Sequence, residues 1–324
     1  MNAAVKYRRV GHSDLSVSEL SLGTCGIREG VSEESLKASL YSALDSGINL
    51  IDTSNSYTSG AAESFLGEVL KGVPRSSYLL ATKLFFPVPP GTGGLSAREV
   101  RLNIDASLSR LRVDYVDLYQ CHRYDESTPL EETMTALSEL VRQGKVRYLG
   151  FSEWSPQQIE KALHHPELEP FASSQPQFSM LWRQPEGSVF PLCAPNGIGQ
   201  LVWSPLAQGL LSGKYRPGQA PSPGTRASNK LMNQYLMSEL YTDKNLRIVA
   251  QLVPIANGLG LTMSQLALAW VLRLSSVTSA ILGVSSPCQV RHNVAASGVA
   301  LPPLILDQIE SITSADLSPT STCT

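Results

Sequence analysis

The chain repeats one pattern along most of its length. A short apolar run rich in β-branched or aromatic residues is followed by a segment with helical spacing. Strands that alternate with helices of about 10–15 residues form βαβ units, whose strands lie parallel in one sheet. The runs are almost continuously apolar, which is typical of strands covered on both faces. Eight such runs are present, at 17–24, 49–54, 78–84, 115–121, 147–152, 172–178, 200–206 and 279–285.

The segments between the runs carry recognisable helix start signals. Ser32 and Ser96 stand where N-caps are expected, each ahead of leucines and valines spaced three or four residues apart. A third helix is predicted to begin after Pro129. Ser155 precedes Pro156, which suits the first position of a helix because proline lacks the amide hydrogen. Strand and helix signals therefore alternate along the chain.

Eight strands are the number that closes a (β/α)₈ barrel. The alternative is an open, doubly wound sheet, which in its dinucleotide-binding form carries G-x-G-x-x-G directly after the first strand. Neither Gly23-Thr-Cys-Gly26, nor Gly91-Thr-Gly-Gly94, nor the stretch from Gly209 to Lys214 matches a phosphate-loop fingerprint in its expected context. We therefore predict the α/β class and a (β/α)₈ TIM barrel in which residues 1–324 form a single domain.

One connection departs from the pattern. Residues 204–241, which follow the seventh predicted strand, include the sequence PGQAPSPGTRAS at 217–228. Connections longer than about 15 residues are uncommon in compact domains and are usually functional or disordered. Together with the flanking WSPLAQGLLSGKY at 203–215, this segment is predicted to be a loop that closes over a ligand. An ordinary insertion is the alternative.

Composition excludes several classes of function. With 26 basic and 28 acidic side chains the formal net charge is −2, so no nucleic-acid partner is expected. The first residues lack the apolar region of a signal peptide, and the best apolar stretch, 266–272, is far shorter than the roughly 20 residues that span a bilayer. The 5 cysteines form no CxxC pair, which argues against a disulfide framework and a metal site. We expect a cytoplasmic protein without a membrane partner.

Titratable residues stand where successive runs end. Asp52 and Lys83 end the second and third runs, Tyr57 follows in a Ser- and Gly-rich loop, and His122 comes directly after the fourth run. Taken singly, each has an ordinary explanation as a cap, a loop residue, a solvated cation or a packed histidine. Because a barrel carries its sites at the carboxyl ends of its strands, their joint occurrence indicates an active site.

In these residues and their surroundings, the sequence resembles the aldo-keto reductases, (β/α)₈ barrels that reduce carbonyls with a nicotinamide cofactor. Within that family it is most similar to the branch of bacterial and fungal reductases and the β-subunits of voltage-gated potassium channels. The resemblance covers nearly the whole chain. It is carried by the blocks YRRVGHSDLSVSELSLGT, INLIDTSNSYTSGAAESFLGEVL, ATK, SLSRLRVDYVDLYQCHR, GKVRYLGFSEW, SSQPQFSML, VWSPLAQGLLSGKY and AILGVSSPCQVRHN, in this order.

The resemblance implies a catalytic tetrad. Tyr57 would donate a proton to the developing alkoxide, and Lys83 would favour the ionised form of this phenol, whose ordinary pKa is about 10. Asp52 would pair with Lys83 and keep it charged. His122 would orient the carbonyl and share in proton delivery.

The resemblance also implies NADPH/NADP⁺ as the cofactor. Ser152 and Gln175 would bind its carboxamide, and Trp203 would stack on the nicotinamide ring. Two positions depart from the family pattern: Glu153 stands where many relatives carry Asn, and His292 where they often carry an acidic residue. The other implied cofactor contacts are Gly23, Thr24, Asp52, Ser204, Pro205, Leu206, Gly209, Lys214, Arg226, Gly283, Ser285, Gln289 and Asn293.

Two functions follow from the resemblance. The first is an NADPH-dependent reductase that converts small-molecule aldehydes or ketones to alcohols. The alternative is a cofactor-binding regulatory subunit that senses the NADPH/NADP⁺ ratio and turns over slowly. His122 favours the enzyme, because channel β-subunits can lack the histidine. Phe86, Tyr124 and Trp154 either line an aromatic substrate pocket or pack at the barrel rim. No heptad or apolar stripe determines an oligomeric state, and we lean only slightly to an oligomer.

Overall fold

The computed structural model describes residues 5–25, 32–165, 167–230, 233 and 236–314. Gly26, the cysteine at position 323 and both chain ends lie outside the described residues. The extent of the predicted domain, 1–324, therefore stays a prediction.

Eight parallel strands close into a barrel, as the sequence predicted. Each strand pairs with its neighbour in chain order, and the last pairs with the first of the eight, so that the sheet has no free edge. Each lies within or next to one of the apolar runs. The barrel strands are β3 (Leu20–Gly23), β4 (Leu50–Asp52), β5 (Leu79–Leu84), β6 (Val116–Cys121), β7 (Val146–Ser152), β8 (Phe171–Gln175), β9 (Gly199–Val202) and β10 (Val277–Gly283).

Helices surround the barrel, and the predicted start signals are confirmed. The side chain of Ser32 accepts a hydrogen bond from the amide of Ser35, and Ser155 forms a capping box with Gln158 ahead of Pro156. The α-helices are α1 (Glu33–Asp45), α2 (Ala61–Val69), α3 (Ala97–Leu111), α4 (Leu130–Arg142), α5 (Pro156–Leu163), α6 (Gln184–Gly187), α7 (Val189–Cys193), α8 (Asp243–Gly258), α9 (Met263–Leu272), α10 (Pro287–Val294) and α11 (Pro303–Ser314).

An antiparallel hairpin precedes the barrel and was not predicted. Its strands are β1 (Tyr7–Arg9) and β2 (Ser16–Ser18). Gly11, in the turn, has a φ of 51° and lies so close to the barrel that a Cβ atom there would be 2.2 Å from the carbonyl oxygen of Gly197. Only glycine tolerates both conditions, so the turn can seal the amino-terminal end of the barrel.

The inside of the barrel is apolar at this end and polar at the other. Apolar residues of the hairpin pack against inward-facing side chains such as Leu50, Ala81 and Leu118. Two residues further along the same strands, the inward positions are held by Asp52, Lys83 and Gln120. Because strand side chains alternate between faces, residues two apart share the barrel interior. The switch to polar side chains marks the carboxyl-terminal end as the functional one.

Among the described residues, no single helix is both long and apolar enough to cross a membrane. Only the bent pair of α8 and α9 meets the criteria of length and composition, and it does so only when the two helices are taken together.

Candidate active site

A buried ion pair lies at the centre of the polar end. Lys83 Nζ donates a hydrogen bond to Asp52 Oδ2 over 2.6 Å and a second to the Thr53 carbonyl over 2.8 Å. The Lys83 side chain is fully buried and that of Asp52 nearly so. Burial by itself lowers the pKa of Lys83, but the charge of Asp52 and the hydrogen bonds outweigh it, and the net pKa is raised. Lys83 is therefore a fixed cation, not the solvated one considered above.

Tyr57 completes this group. Its Oη accepts the third hydrogen bond of Lys83 over 3.1 Å, and its ring lies beneath the ammonium group, 4.8 Å from ring centroid to Nζ. Since an ammonium group only donates, the hydroxyl oxygen of Tyr57 is the acceptor and its own proton is available for another partner. The arrangement suits a proton donor.

The electrostatics around Tyr57 are a balance of opposing effects. Burial raises the pKa of Tyr57 to about 12, and the charge of Lys83 opposes this shift without cancelling it. The expected effect of Lys83 is thus correct in direction but smaller than the effect of burial. At neutral pH the group is a protonated phenol, as a proton donor requires.

His122 faces the same point from the end of β6. Its ring lies edge-on to Tyr57, with 5.9 Å between the ring centroids, and its Nδ1 is 3.1 Å from Ser54 Oγ. Burial lowers the pKa of His122 well below its usual value, and Lys83 and Arg123 lower it further. The imidazole is therefore neutral near pH 7.

This shift predicts how stability depends on pH. In the unfolded chain His122 takes up a proton below about pH 6.5, whereas the folded chain resists it, so stability falls as the pH drops below that value. His122→Asn should lose less stability than the unsubstituted protein between pH 7 and pH 5.5. The difference should be at most about 1.4 kcal/mol. Urea denaturation at both pH values measures the loss of unfolding free energy. Equal losses in the two proteins would contradict a lowered pKa for His122.

The structure adds Gln120, which the sequence analysis missed, to the surroundings of Asp52. Asp52 Oδ1 accepts hydrogen bonds from Gln175 Nε2 over 2.9 Å and from Gln120 Nε2 over 3.3 Å. Gln120 lies inside the fourth apolar run, and its polar side chain within an otherwise apolar strand was the signal that could have identified it. Gln175, predicted to contact the cofactor, has its amide nitrogen on Asp52, and Ser152 Oγ donates to the Gln175 carbonyl. The contacts of Gln175 and Ser152 with the cofactor remain predictions.

Two residues at the start of the barrel support the carboxyl end of β4. Gly23 pairs with Asp52, and the Thr24 amide and hydroxyl both donate to the Asp52 carbonyl, over 3.0 and 3.1 Å. Gly283 pairs with Gly23 from the other side. These three predicted cofactor contacts therefore lie at the same end of the barrel as the ion pair.

The three aromatic residues considered for a substrate pocket do not behave alike. Phe86 is 38% exposed and meets the His122 ring edge-on at 5.0 Å between centroids. Trp154 is buried in the core, stacked on Phe151 at 4.9 Å, and Tyr124 packs edge-on against Trp154. The structure brings Phe86 to the tetrad. For Tyr124 and Trp154 the contacts are those of packing, and a pocket role stays a prediction.

The segment after β9 has a strained backbone. Ser204, Ala207 and Gln208 all have positive φ values, in a stretch that continues through a 3₁₀ helix, Ala207–Ser212. Left-handed conformations are costly for residues with a Cβ and cluster at ligand sites. Pro205, Leu206 and Gly209 belong to this same stretch. Residues 231, 232, 234 and 235 of the predicted loop lie outside the described residues.

Two positive side chains project from this loop without acidic partners. Arg226 Nη1 donates to Gln208 Oε1, a neutral amide oxygen. Within the described chain neither Arg226 nor Lys214 forms an ion pair. Basic groups held by neutral partners can transfer to an anion without losing a salt bridge.

At the amino-terminal end of α10, hydrogen-bond donors are likewise paired with a neutral side chain. The amide and hydroxyl of Ser285 both point at Gln289 Oε1, over 2.8 and 3.2 Å. Asn293 is buried on the same helix, and the backbone carbonyl of His292 accepts from Gln265. A helix amino terminus favours anions, and here a side-chain amide oxygen occupies the donors. The donor set thus fits the phosphates of a dinucleotide.

The barrel brings Asp52, Tyr57, Lys83 and His122 together at its carboxyl end, beside a basic loop and a helix amino terminus, which is where barrel enzymes carry their active sites. The sequence matches the aldo/keto reductase family over residues 19–315. The chain belongs to this family, whose general activity is NADPH-dependent carbonyl reduction.

The relatives include proteins named as channel subunits. A probable voltage-gated potassium channel subunit beta of Arabidopsis thaliana is 38% identical over 320 residues, covering 95% of this chain and 96% of the relative. A putative subunit of the same kind from Schizosaccharomyces pombe is 40% identical, covering 95% and 93%. The structure is similar to aldo-keto reductase AKR11C1 from Bacillus halodurans in its holo form, with a TM-score of 0.78, 30% identity and coverage of 95% and 96%.

Proposed function

We propose that this protein is a cytoplasmic NADPH-dependent reductase of small-molecule aldehydes or ketones, with Tyr57 as the proton donor. The observation that carries the proposal is the chain of contacts from Asp52 through Lys83 to Tyr57 Oη, which leaves the phenol proton available at the mouth of the barrel. His122 and Phe86 lie around the same opening.

Each residue of the tetrad has a separate role in the proposed carbonyl reduction. When bound, the cofactor supplies a hydride to the carbonyl carbon. Tyr57 Oη transfers its proton to the carbonyl oxygen, and the O–H bond of the tyrosine breaks as that of the alcohol forms. Lys83, held by Asp52, stabilises the negative charge that this leaves on the Tyr57 oxygen. A neutral His122 can donate a hydrogen bond to the carbonyl oxygen and orient it.

Turnover with defined carbonyls tests this function. Loss of NADPH absorbance is followed with a panel of aliphatic and aromatic aldehydes and ketones, and the alcohol product is identified for each. A minus-substrate sample controls for oxidation of the cofactor. Multiple turnovers with formation of the alcohol support the proposal, and a protein that binds NADPH but reduces no member of the panel contradicts it.

Cofactor choice is a second test. Lys214, Arg226, Ser285 and Gln289 offer charge and donors for the 2′-phosphate that distinguishes NADPH from NADH. A hydrogen bond to a charged group contributes about 1.5–3 kcal/mol, and every 1.4 kcal/mol is roughly tenfold in affinity. NADPH should therefore bind at least about tenfold more tightly than NADH, and added salt should reduce the preference. Fluorescence titrations measure both dissociation constants, and equal values would reject the assignment.

The names of the curated relatives favour a second candidate, a regulatory subunit. In that case the protein would oxidise bound NADPH slowly, and its function would lie in the difference between the two cofactor states. Rapid mixing separates the candidates: a reductase repeats the cycle when NADPH is in excess, whereas a sensor shows one turnover followed by very slow exchange.

A further inference from the structure

Glu153 occupies an unusual position directly after β7. Its φ is 56°, in the left-handed region, where a residue with a long side chain is rare and where Asn or Gly is more comfortable. The other positive-φ residues of the described chain that carry a Cβ are mainly in the loops after β4 and β9, at the same end of the barrel. A strained residue persists when its surroundings hold it in place, and such residues cluster at ligand sites.

The contacts of Glu153 show what holds it. Its Oε1 accepts a hydrogen bond from Trp203 Nε1 over 2.7 Å and one from the amide of Gln177 over 2.6 Å. The carboxylate therefore joins the end of β7 to the side chain that follows β9. Both bonds are short, as is usual when the acceptor is charged.

The backbone of Trp203 is held as well. Its amide donates to the Pro176 carbonyl over 3.1 Å, and its carbonyl accepts from the Phe178 amide over 3.2 Å. With the backbone fixed, the remaining freedom of Trp203 is rotation of its side chain. The hydrogen bond to Glu153 removes that freedom and sets the plane of the indole ring, which is partly exposed at the site.

We propose that Glu153 is a positioning residue that orients Trp203 and biases the site towards the oxidised form of the nicotinamide cofactor. This inference rests on the proposed function and on the stacking of Trp203 on the nicotinamide ring that the family resemblance implies. That ring carries a positive charge when it is oxidised and none when it is reduced. A carboxylate fixed at the edge of the stacking residue attracts the first form and not the second. No ion pair neutralises Glu153 within the part of the chain that the structure describes.

The charge and the hydrogen bonds can be tested separately. Glu153→Gln keeps an Oε1 acceptor for Trp203 and Gln177 but removes the charge. Its ratio of dissociation constants, NADP⁺ over NADPH, should rise about two- to fivefold, as expected for one exposed charge. NADPH affinity should stay within about twofold. The rise should diminish at high salt. An unchanged ratio, or equal weakening of both forms, would overturn the charge effect.

Glu153→Ala removes the acceptor as well as the charge. Trp203 should then become mobile, with lower fluorescence anisotropy and stronger iodide quenching, and both cofactor forms should bind more weakly. Subtracting the spectra of the Trp203→Phe variant isolates the signal of Trp203 among the 4 tryptophans. Glu153→Gln should keep the unsubstituted signal. If Glu153→Ala also keeps it, Glu153 does not position the indole.

Glu126→Gln is the matched control. Glu126 is exposed in the loop after β6, at the same end of the barrel, and its carboxylate accepts a hydrogen bond from the Gln158 side chain. The substitution removes one negative charge without touching Trp203 and should leave the ratio unchanged. The tryptophan measurements need no cofactor. If the unsubstituted protein binds neither NADP⁺ nor NADPH, the proposed function fails, while the positioning of Trp203 by Glu153 is still decided by fluorescence.

Discussion

Tyr57→Phe is expected to lower kcat for carbonyl reduction by at least about 100-fold while leaving NADPH affinity nearly unchanged. The substitution removes the phenol proton and keeps the ring beneath Lys83. A positioned general acid contributes about 10²–10⁴-fold to the rate. The predicted cofactor contacts at Trp203, Lys214 and α10 do not involve the hydroxyl, so cofactor binding should survive.

Two further measurements are needed to attribute a loss of kcat to the missing proton donor. A deuterated cofactor shows whether hydride transfer limits kcat, because a slow release step would hide the loss of the acid. Tyr41→Phe is the matched control, since it removes a hydroxyl that bonds the Val69 carbonyl on the outer ring of helices. If chemistry limits the rate and Tyr57→Phe keeps more than about a tenth of kcat, Tyr57 is not the proton donor.

Lys83→Met should reduce both activity and stability. It removes the cation that stabilises the Tyr57 oxygen after proton transfer, so kcat should fall by a factor similar to that for Tyr57→Phe. It also leaves the Asp52 carboxylate buried without its cation. Breaking one half of a buried ion pair costs about 3–5 kcal/mol of unfolding free energy. Denaturant unfolding measures this loss.

A double substitution separates the two effects. Lys83→Met combined with Asp52→Asn removes both charges, and the asparagine oxygen can still accept from Gln175. The double variant should recover most of the stability lost by Lys83→Met but none of its activity. If Lys83→Met is as stable as the unsubstituted protein, the contribution assigned to the pair is wrong. If the double variant is the less stable of the two, the loss comes from packing around the lysine stem.

Much of the barrel and of the tetrad could be predicted from the sequence because both leave local signals. Each barrel strand is a short apolar run, and Asp52, Lys83 and His122 come where such runs end. The β1–β2 hairpin left a weaker signal. Its second strand, β2, overlaps the first apolar run, which also contains β3. Glu19 separates the two strands, and its carboxylate accepts hydrogen bonds from Arg8 and from the distant Ser297. Contacts so far apart in the chain cannot be read from spacing.

What the sequence left open at the site has the same origin. Trp154 follows β7 closely, and the sequence was consistent with either pocket lining or packing at the barrel rim; the left-handed turn at Glu153 precedes it, and its indole packs in the core. Gln120 lies inside a strand, and its hydrogen bond to Asp52 forms only because the two side chains face each other inside the closed barrel. The size of the opposing effects on the pKa of Tyr57 likewise depends on burial, which a linear sequence does not specify.

The hairpin beneath the barrel has a consequence for how protons move. Its apolar residues pack against Leu50, Ala81 and Leu118, only two residues, or roughly 7 Å, below Asp52, Lys83 and Gln120. The apolar side chains of the hairpin and of the strands thus close the barrel at this end. In the proposed reaction, a proton that leaves Tyr57 would be replaced from the side of the same opening that admits the carbonyl and releases the alcohol. The reprotonation of Tyr57 would therefore be linked to the departure of the product.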